Sequence, residues 1–220
     1  MNTAKSGERK IMKHIFSIPL IFLLAACAGK VEYTPPSMAP SIDNTMEVQS
    51  SKDKVWKTLV TNLGKEFFVI NNLDKDSGLI NVSYSGDPQL YIDCGSIYSY
   101  VKNMRGERSH YVDGAQKVAD YEVMDGNLYF IHREMSLEGR INIIVVPTTK
   151  TTTQVSVNTR YLVTKKTSAR LPDRYVGSHS DTISFNSGQS ATFPGSGKTT
   201  PTTCIPTGKL ERDILNLVKP

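Results

Sequence analysis

What this chain lacks narrows its function before any motif is read. It has no GxSxG nucleophile elbow, and none of its histidines has a His, Asp or Glu partner at a metal-ligand spacing such as HExxH. The apolar stretch Ile15 to Leu24, broken by Ser17 and Pro19, is about half the ~20 residues a membrane-spanning helix needs. It also lacks a lasting charge of one sign. Four of its 26 Lys and Arg and one of its 21 Asp and Glu lie in residues 1–26, so the remainder carries only +2. That is too near neutral for a nucleic-acid surface. Cysteine is scarce, at three in 220 residues: Cys27, Cys94 and Cys204.

The N-terminal segment is the most informative part of what is there. Lys5, Arg9, Lys10 and Lys13 precede the apolar stretch, and small residues lead to Leu24-Ala25-Ala26-Cys27. This is the layout of a secretory signal. Met12 opens a compact signal of its own, which leaves the first eleven residues open to being a start-site artefact. The run Leu-Ala-Ala-Cys resembles the lipobox of bacterial lipoproteins. The resemblance implies cleavage before Cys27, diacylation of its thiol and acylation of the new amino group. By the rule of that family, Ala28 after the cysteine, rather than Asp, implies the outer membrane and a periplasm-facing domain.

With residues 1–26 removed, Cys27 to Pro220 suit a tether over 27–50 and a single domain over 51–220. Pro35, Pro36 and Pro40 mark the tether. With Cys27 taken by lipid, Cys94 and Cys204 remain in an oxidising compartment. They form either one disulfide or two buried free thiols.

Helical spacing of Val55, Trp56, Leu59, Val60, Leu63 and Phe67 after Ser50 or Ser51 predicts a first helix. Strand patterns follow around Asn71 to Gly78, over Leu90–Ile97, Leu128–Glu138, Arg140–Val146 and Gln154–Val163, and as a short hairpin about Ser187-Gly188. The polar stretches 102–120 and 164–181 read as loops. Leu210, Ile214, Leu217 and Val218 give a terminal helix an apolar stripe, with Glu211 and Asp213 in its first turns. The order predicts an α+β fold, with an antiparallel sheet packed against an N-terminal and a C-terminal helix.

Trp56-Lys57-Thr58-Leu59 through Phe68-Val69-Ile70, then Asp74 to Val82, resembles the opening of a BamC-like lipoprotein domain over about 30 residues. That resemblance implies a helix-grip fold. Tyr91-Ile92-Asp93-Cys94-Gly95 and Cys204-Ile205-Pro206-Thr207-Gly208-Lys209-Leu210-Glu211 resemble segments of small Gram-negative envelope lipoproteins. This resemblance implies that the two cysteines pair.

Other motifs weaken on inspection. Gly195-Ser196-Gly197-Lys198-Thr199 suggests a P-loop, but Thr192 stands where a Walker motif requires glycine, and Pro201 follows instead of a helix. Gly177-Ser178-His179-Ser180-Asp181 holds the residue types of a serine hydrolase in one polar stretch, whereas triads gather them from separate elements. His110, His132 and His179 read as ordinary polar side chains. Lys165, Lys166, Arg170 and Arg174 form a basic loop able to touch a phosphate or carboxylate, and Tyr98, Tyr100 and Tyr111 are scattered aromatics. No catalytic, cofactor or metal residue is expected. The expectation is a non-enzymatic outer-membrane lipoprotein that binds the membrane through Cys27 and serves an envelope protein complex, with neither nucleic acid nor nucleotide as partner. The alternative is a lipid or small-ligand carrier with a cavity beneath a helix.

Overall fold

Period-two alternation, sustained over two very long strands, decides the architecture. The computed structural model describes residues 28–37, 42–66, 68–195 and 201–219. The signal segment, Cys27, Phe67 and Gly197-Lys198-Thr199 lie outside them. In chain order the elements are β1 (Ala28–Thr34), β2 (Thr45–Val48), α1 (Lys52–Leu63), β3 (Val69–Asp74), β4 (Leu79–Gly86), β5 (Ile92–Asp93), β6 (Ser96–Asn103), β7 (Gly106–Asp113), β8 (Val118–Asp125), β9 (Asn127–Pro147), β10 (Thr153–Arg170), β11 (Tyr175–Asn186), β12 (Ala191–Phe193), β13 (Thr202–Pro206) and α2 (Lys209–Asn216).

The 21 residues of β9 and the 18 of β10 pair antiparallel from Thr153↔Pro147 to Arg170↔Phe130. Each then takes two successive partners on its free edge. Strand β9 pairs with β8 over its first part and with β4 over its second. Strand β10 pairs with β2 at its start and with β11 over its later part. The result is a seven-stranded sheet of two halves. The upper half is β2-β10-β9-β4-β3, and the lower half is β11-β10-β9-β8. A second sheet, β1-β6-β7, packs near β8, and a third is β12-β13-β5.

In the upper half every second residue of β9 and β10 is buried, including Leu137, Ile141, Ile143 and Val145 facing inward beside Val155, Val157 and Tyr161. Helix α1 covers them with Val55, Trp56, Leu59 and Leu63, and α2 with Leu210, Ile214 and Leu215. Fully burying each such aliphatic chain is worth about 1.5–3 kcal/mol, so the two helices are held by their apolar faces. Gly139, midway along β9, lies opposite both Tyr161 and Tyr84. A Cβ there would come within 3.3 Å of Leu210 Cδ2, so glycine leaves the room that lets α2 settle on the sheet.

The expected α+β, helix-grip-like fold is therefore corrected. Among the described residues there are two α-helices, of 12 and 8 residues, against thirteen strands in three sheets. The difference lies chiefly in residues 102–120 and 164–181, expected as loops and found as parts of β6, β7, β8, β10 and β11. In the lower half most β10 residues from Thr164 onward are only half-buried on both faces, so no apolar alternation marks them. The tether expected over 27–50 also differs. Strand β1 begins at Ala28 and pairs with β6, and β2 joins the large sheet. The predicted hairpin about Ser187-Gly188 is a corner, because β11 pairs with β10 while β12 pairs with β13.

Cys94 and Cys204 are joined, with their sulfurs 2.03 Å apart and both residues fully buried. The β5–β13 register, Ile92↔Pro206 and Asp93↔Ile205, leads directly to this pair. Gly95 then turns the chain into β6 at φ +70°, and a Cβ there would strike the Thr34 carbonyl. The bond thus joins β13 to the chain where β5 passes toward β6. The Tyr33 hydroxyl adds a clasp, donating to the Thr203 carbonyl at 3.1 Å and accepting from the Thr203 N–H at 2.9 Å. The bond closes a separation of 110 residues. Paired substitution of both cysteines by serine will lower the unfolding free energy by about 3–5 kcal/mol, read from urea denaturation curves.

Candidate functional site

Residues of β9 and β10 that alternate with the core point away from both helices, and that outer face is polar about Asn142, with Ile144 and Val146 exposed farther along β9. Register places Asn81, Asn142 and Asn158 side by side on β4, β9 and β10. Asn71 donates to the Asn81 side-chain oxygen at 3.0 Å, and Asn81 donates to that of Asn142 at 2.7 Å. Asn44 donates to that of Asn158 at 3.0 Å. These bonds hold the amides at set orientations across the sheet.

The neighbouring row on the same face reads Ser83, Arg140, Arg160, Asn186. Arg140 and Arg160 are directly opposed across the two central strands, and both are exposed. Directly opposed residues hold their Cβ atoms about 4.5–5.5 Å apart, and like charges so placed oppose folding. Among the described residues neither arginine has an ion pair. Arg160 donates to Ser184 Oγ at 3.3 Å. The guanidinium groups and the amides border an open groove of about 560 Å³, with Asn186 and Ser187 at its side.

Ser187 links this groove to the interior. Its hydroxyl donates to Glu211 at 2.6 Å, and the Thr159 N–H donates to Ser187 Oγ at 2.8 Å. Glu211, on α2, is fully buried and also receives the Tyr161 hydroxyl, 2.8 Å from both carboxylate oxygens. Burial first, and then the Glu211 charge, push the Tyr161 phenol far above its ordinary range. Hydrogen bonds of this kind offset the desolvation of a buried carboxylate and pin α2 beneath β10.

A second cavity, of about 320 Å³, is lined by the middle of β7 and β8, the first part of β9, the end of β10 and Tyr175 at the start of β11. His132 Nδ1 is 2.8 Å from Asp120, and its Nε2 is 3.5 Å from Glu134. Glu122 accepts from Arg108 at 2.6 Å and lies 3.8 Å from His110 Nε2. Arg170 stacks over Phe130 at 4.4 Å. Among the described residues no group of three His, Cys, Asp or Glu is placed to hold a metal ion.

The residues singled out from the sequence disperse in part. His110 and His132 line this second cavity together, while His179 pairs with Asp181 at 2.8 Å. Gly177 to Asp181 belongs to a strand, so Ser178 and Ser180 fall on the face opposite His179 and Asp181, and no triad forms. Lys165 turns inward over the Phe193 ring at 4.5 Å, and burial lowers its pKa, whereas Arg174 stands in the β10–β11 turn. Tyr98 and Tyr111 are not scattered but paired across β6 and β7, with ring centroids 4.7 Å apart and the rings tilted by 42°. Cys27 lies outside the described residues, and Cys94 and Cys204 are remote from both cavities. The sequence reading missed the arginine and asparagine rows. Their signal, Arg140-x-Asn142 mirrored by Asn158-x-Arg160, has meaning only once the register is known.

The His132 imidazole is held above its usual value, first by the Asp120 hydrogen bond and then by that of Glu134. The raised pKa makes the folded state favour protonated His132. That contribution is complete below the unfolded-state pKa and disappears as pH rises through the folded value. In an NMR titration the His132 midpoint will lie above 6.5, and Asp120→Asn will move it downward. No family model matches the chain, and no curated protein or solved structure matches it either.

Proposed function

We propose that this chain is a lipid-anchored, non-enzymatic interaction module of the bacterial envelope, held at the outer membrane through Cys27. Its recognition surface is the outer face of the large sheet, and its partner is a protein segment bearing carboxylates. The observation that carries the reading is the opposed Arg140–Arg160 pair, without an ion pair among the described residues and flanked by oriented asparagine amides. Two adjacent guanidinium groups oppose folding where they stand and supply forked donors matched to carboxylate oxygens. An acidic segment laid across the strands would neutralise both, and its backbone could exchange hydrogen bonds with the amide row. Ser187 and Asn186 border the groove where such a segment would leave the sheet.

The carrier alternative has less support. The space between the helices and the sheet is filled by buried side chains such as Leu59, Leu63, Ile141, Val157 and Ile214, and neither groove described above lies beneath a helix. Among the described residues no helix is long and apolar enough to cross a membrane. Attachment in this reading therefore falls to the lipid on Cys27.

Two measurements test these statements. A photocrosslinking residue at Asn142 will give a discrete adduct in cells, and Arg140→Ser with Arg160→Ser will abolish it. The same double variant will be no less stable than the parent, and up to about 1 kcal/mol more stable, because a like-charge pair has been removed. An adduct indifferent to the arginines would sink the recognition surface. Separately, Cys27→Ser will shift the protein from the membrane fraction to the soluble periplasm, and unchanged membrane partitioning would refute the anchor.

A further inference from the structure

The absence of a free tether has a geometric result. Strand β1 starts at Ala28 and runs antiparallel to β6, with Ala28 opposite Lys102. Stepping back from Ala28 toward Cys27 therefore follows the same direction as stepping forward from Lys102 into the β6–β7 turn. Consecutive Cα atoms are about 3.8 Å apart, so the chain leaves for its anchoring cysteine beside that turn. The turn itself is Met104-Arg105, closed by Asn103↔Gly106, and Met104 is 91% exposed.

Two more hairpins end at the same place. Met124, just before the β8–β9 turn at Gly126, packs so closely on Gly29 that a Cβ there would collide with it. Next to it, β10 ends at Arg170, which pairs with Phe130 and stacks on its ring. The following turn, residues 171–174, is closed by the Leu171 N–H donating to the Arg174 carbonyl at 2.8 Å. Tyr175 and Val176 behind that turn are 64% and 51% exposed. Apolar Met104, Tyr175 and Val176 thus share one end with exposed Arg105 and Arg174, and with Asp125 and Asp173 in the neighbouring turns. This pairing of apolar tips with basic side chains suits a bilayer interface with phosphate headgroups.

We propose that this three-hairpin end lies against the lipid bilayer and fixes the domain's orientation, with the long strands standing away from the membrane. The proposal rests on the reading of Cys27 as the lipid anchor. The acyl chains supply the attachment, and the tips supply the pose.

The test uses the acylated full-length protein. Cys27 is consumed by lipid and Cys94 and Cys204 by each other, so an introduced cysteine is the single free thiol. An environment-sensitive fluorophore is attached at Met104→Cys or Asp173→Cys, and, at the far end, at Asp76→Cys or Lys150→Cys. Each labelled protein is reconstituted into phosphatidylethanolamine–phosphatidylglycerol vesicles containing lipids spin-labelled near the headgroup. Quenching at 104 and 173 is expected to exceed that at 76 and 150 by about threefold or more. Equal quenching at all four sites, or stronger quenching at the far end, overturns the proposal. Mass spectrometry of the N-terminal peptide separates the two possible failures. Unacylated Cys27 refutes the anchor and the pose together. Acylated Cys27 with unquenched probes at 104 and 173 refutes the pose alone.

Discussion

The pairing of β9 with β10 is the constraint on which the rest depends. Every residue of β10 has a partner on β9, and side chains alternate between faces along both. A slip of one residue would exchange the two faces, exposing Ile141, Ile143, Val155 and Val157 and burying Arg140, Asn142, Asn158 and Arg160. The register that assembles the core is thus the same register that sets two guanidinium groups opposite each other on the outside. Neither property can change independently of the other.

The two halves of the large sheet meet this constraint with different interior chemistry. The upper half is closed by apolar side chains from α1 and α2, and the buried acid Glu211 is hydrogen-bonded by Tyr161 and Ser187. In the lower half the inward positions include Arg133 and Lys165, both with pKa lowered by burial, beside the buried Ala119, Met135 and Phe185. Arg133 donates to the Asp113 carbonyl at 2.6 Å, and Lys165 rests over Phe193. Long side chains of this kind cover surface with their stems while keeping their charge near a polar partner.

That division explains what the sequence disclosed. Helix α1 after Ser51, the terminal helix and the alternation through Gln154–Val163 were legible because each places large apolar residues at one period. Beyond Val163 the inward residue is Lys165, and the pattern breaks although the strand continues to Arg170. Strand β1 was equally hidden. It is an exposed edge strand, so Lys30, Glu32 and Tyr33 carry no core signature, and its place is set by pairing with β6. The cysteine pair was reachable by counting, since one thiol was assigned to lipid. The arginine and asparagine rows were not reachable, because β4 is distant in sequence from β9 and only the register aligns the partners on β9, β10 and β11.

Replacing a flexible tether by a strand also changes what the outer face can do. A tether of some twenty residues could carry the domain anywhere within roughly 70 Å of the bilayer at full extension. With β1 starting one residue after Cys27, that freedom is gone, and distance is set by strand length instead. Arg140 lies thirteen residues along β9 from the β8–β9 turn, which at about 3.4 Å per residue is roughly 45 Å along the strand. In the proposed pose, with the hairpin tips on the membrane, the arginine row would stand at a defined height above it. A partner segment of the proposed kind would have to present its carboxylates at that height, so the geometry would select it by position as well as by charge. The β9–β10 ladder would then serve as core, recognition surface and spacer at once.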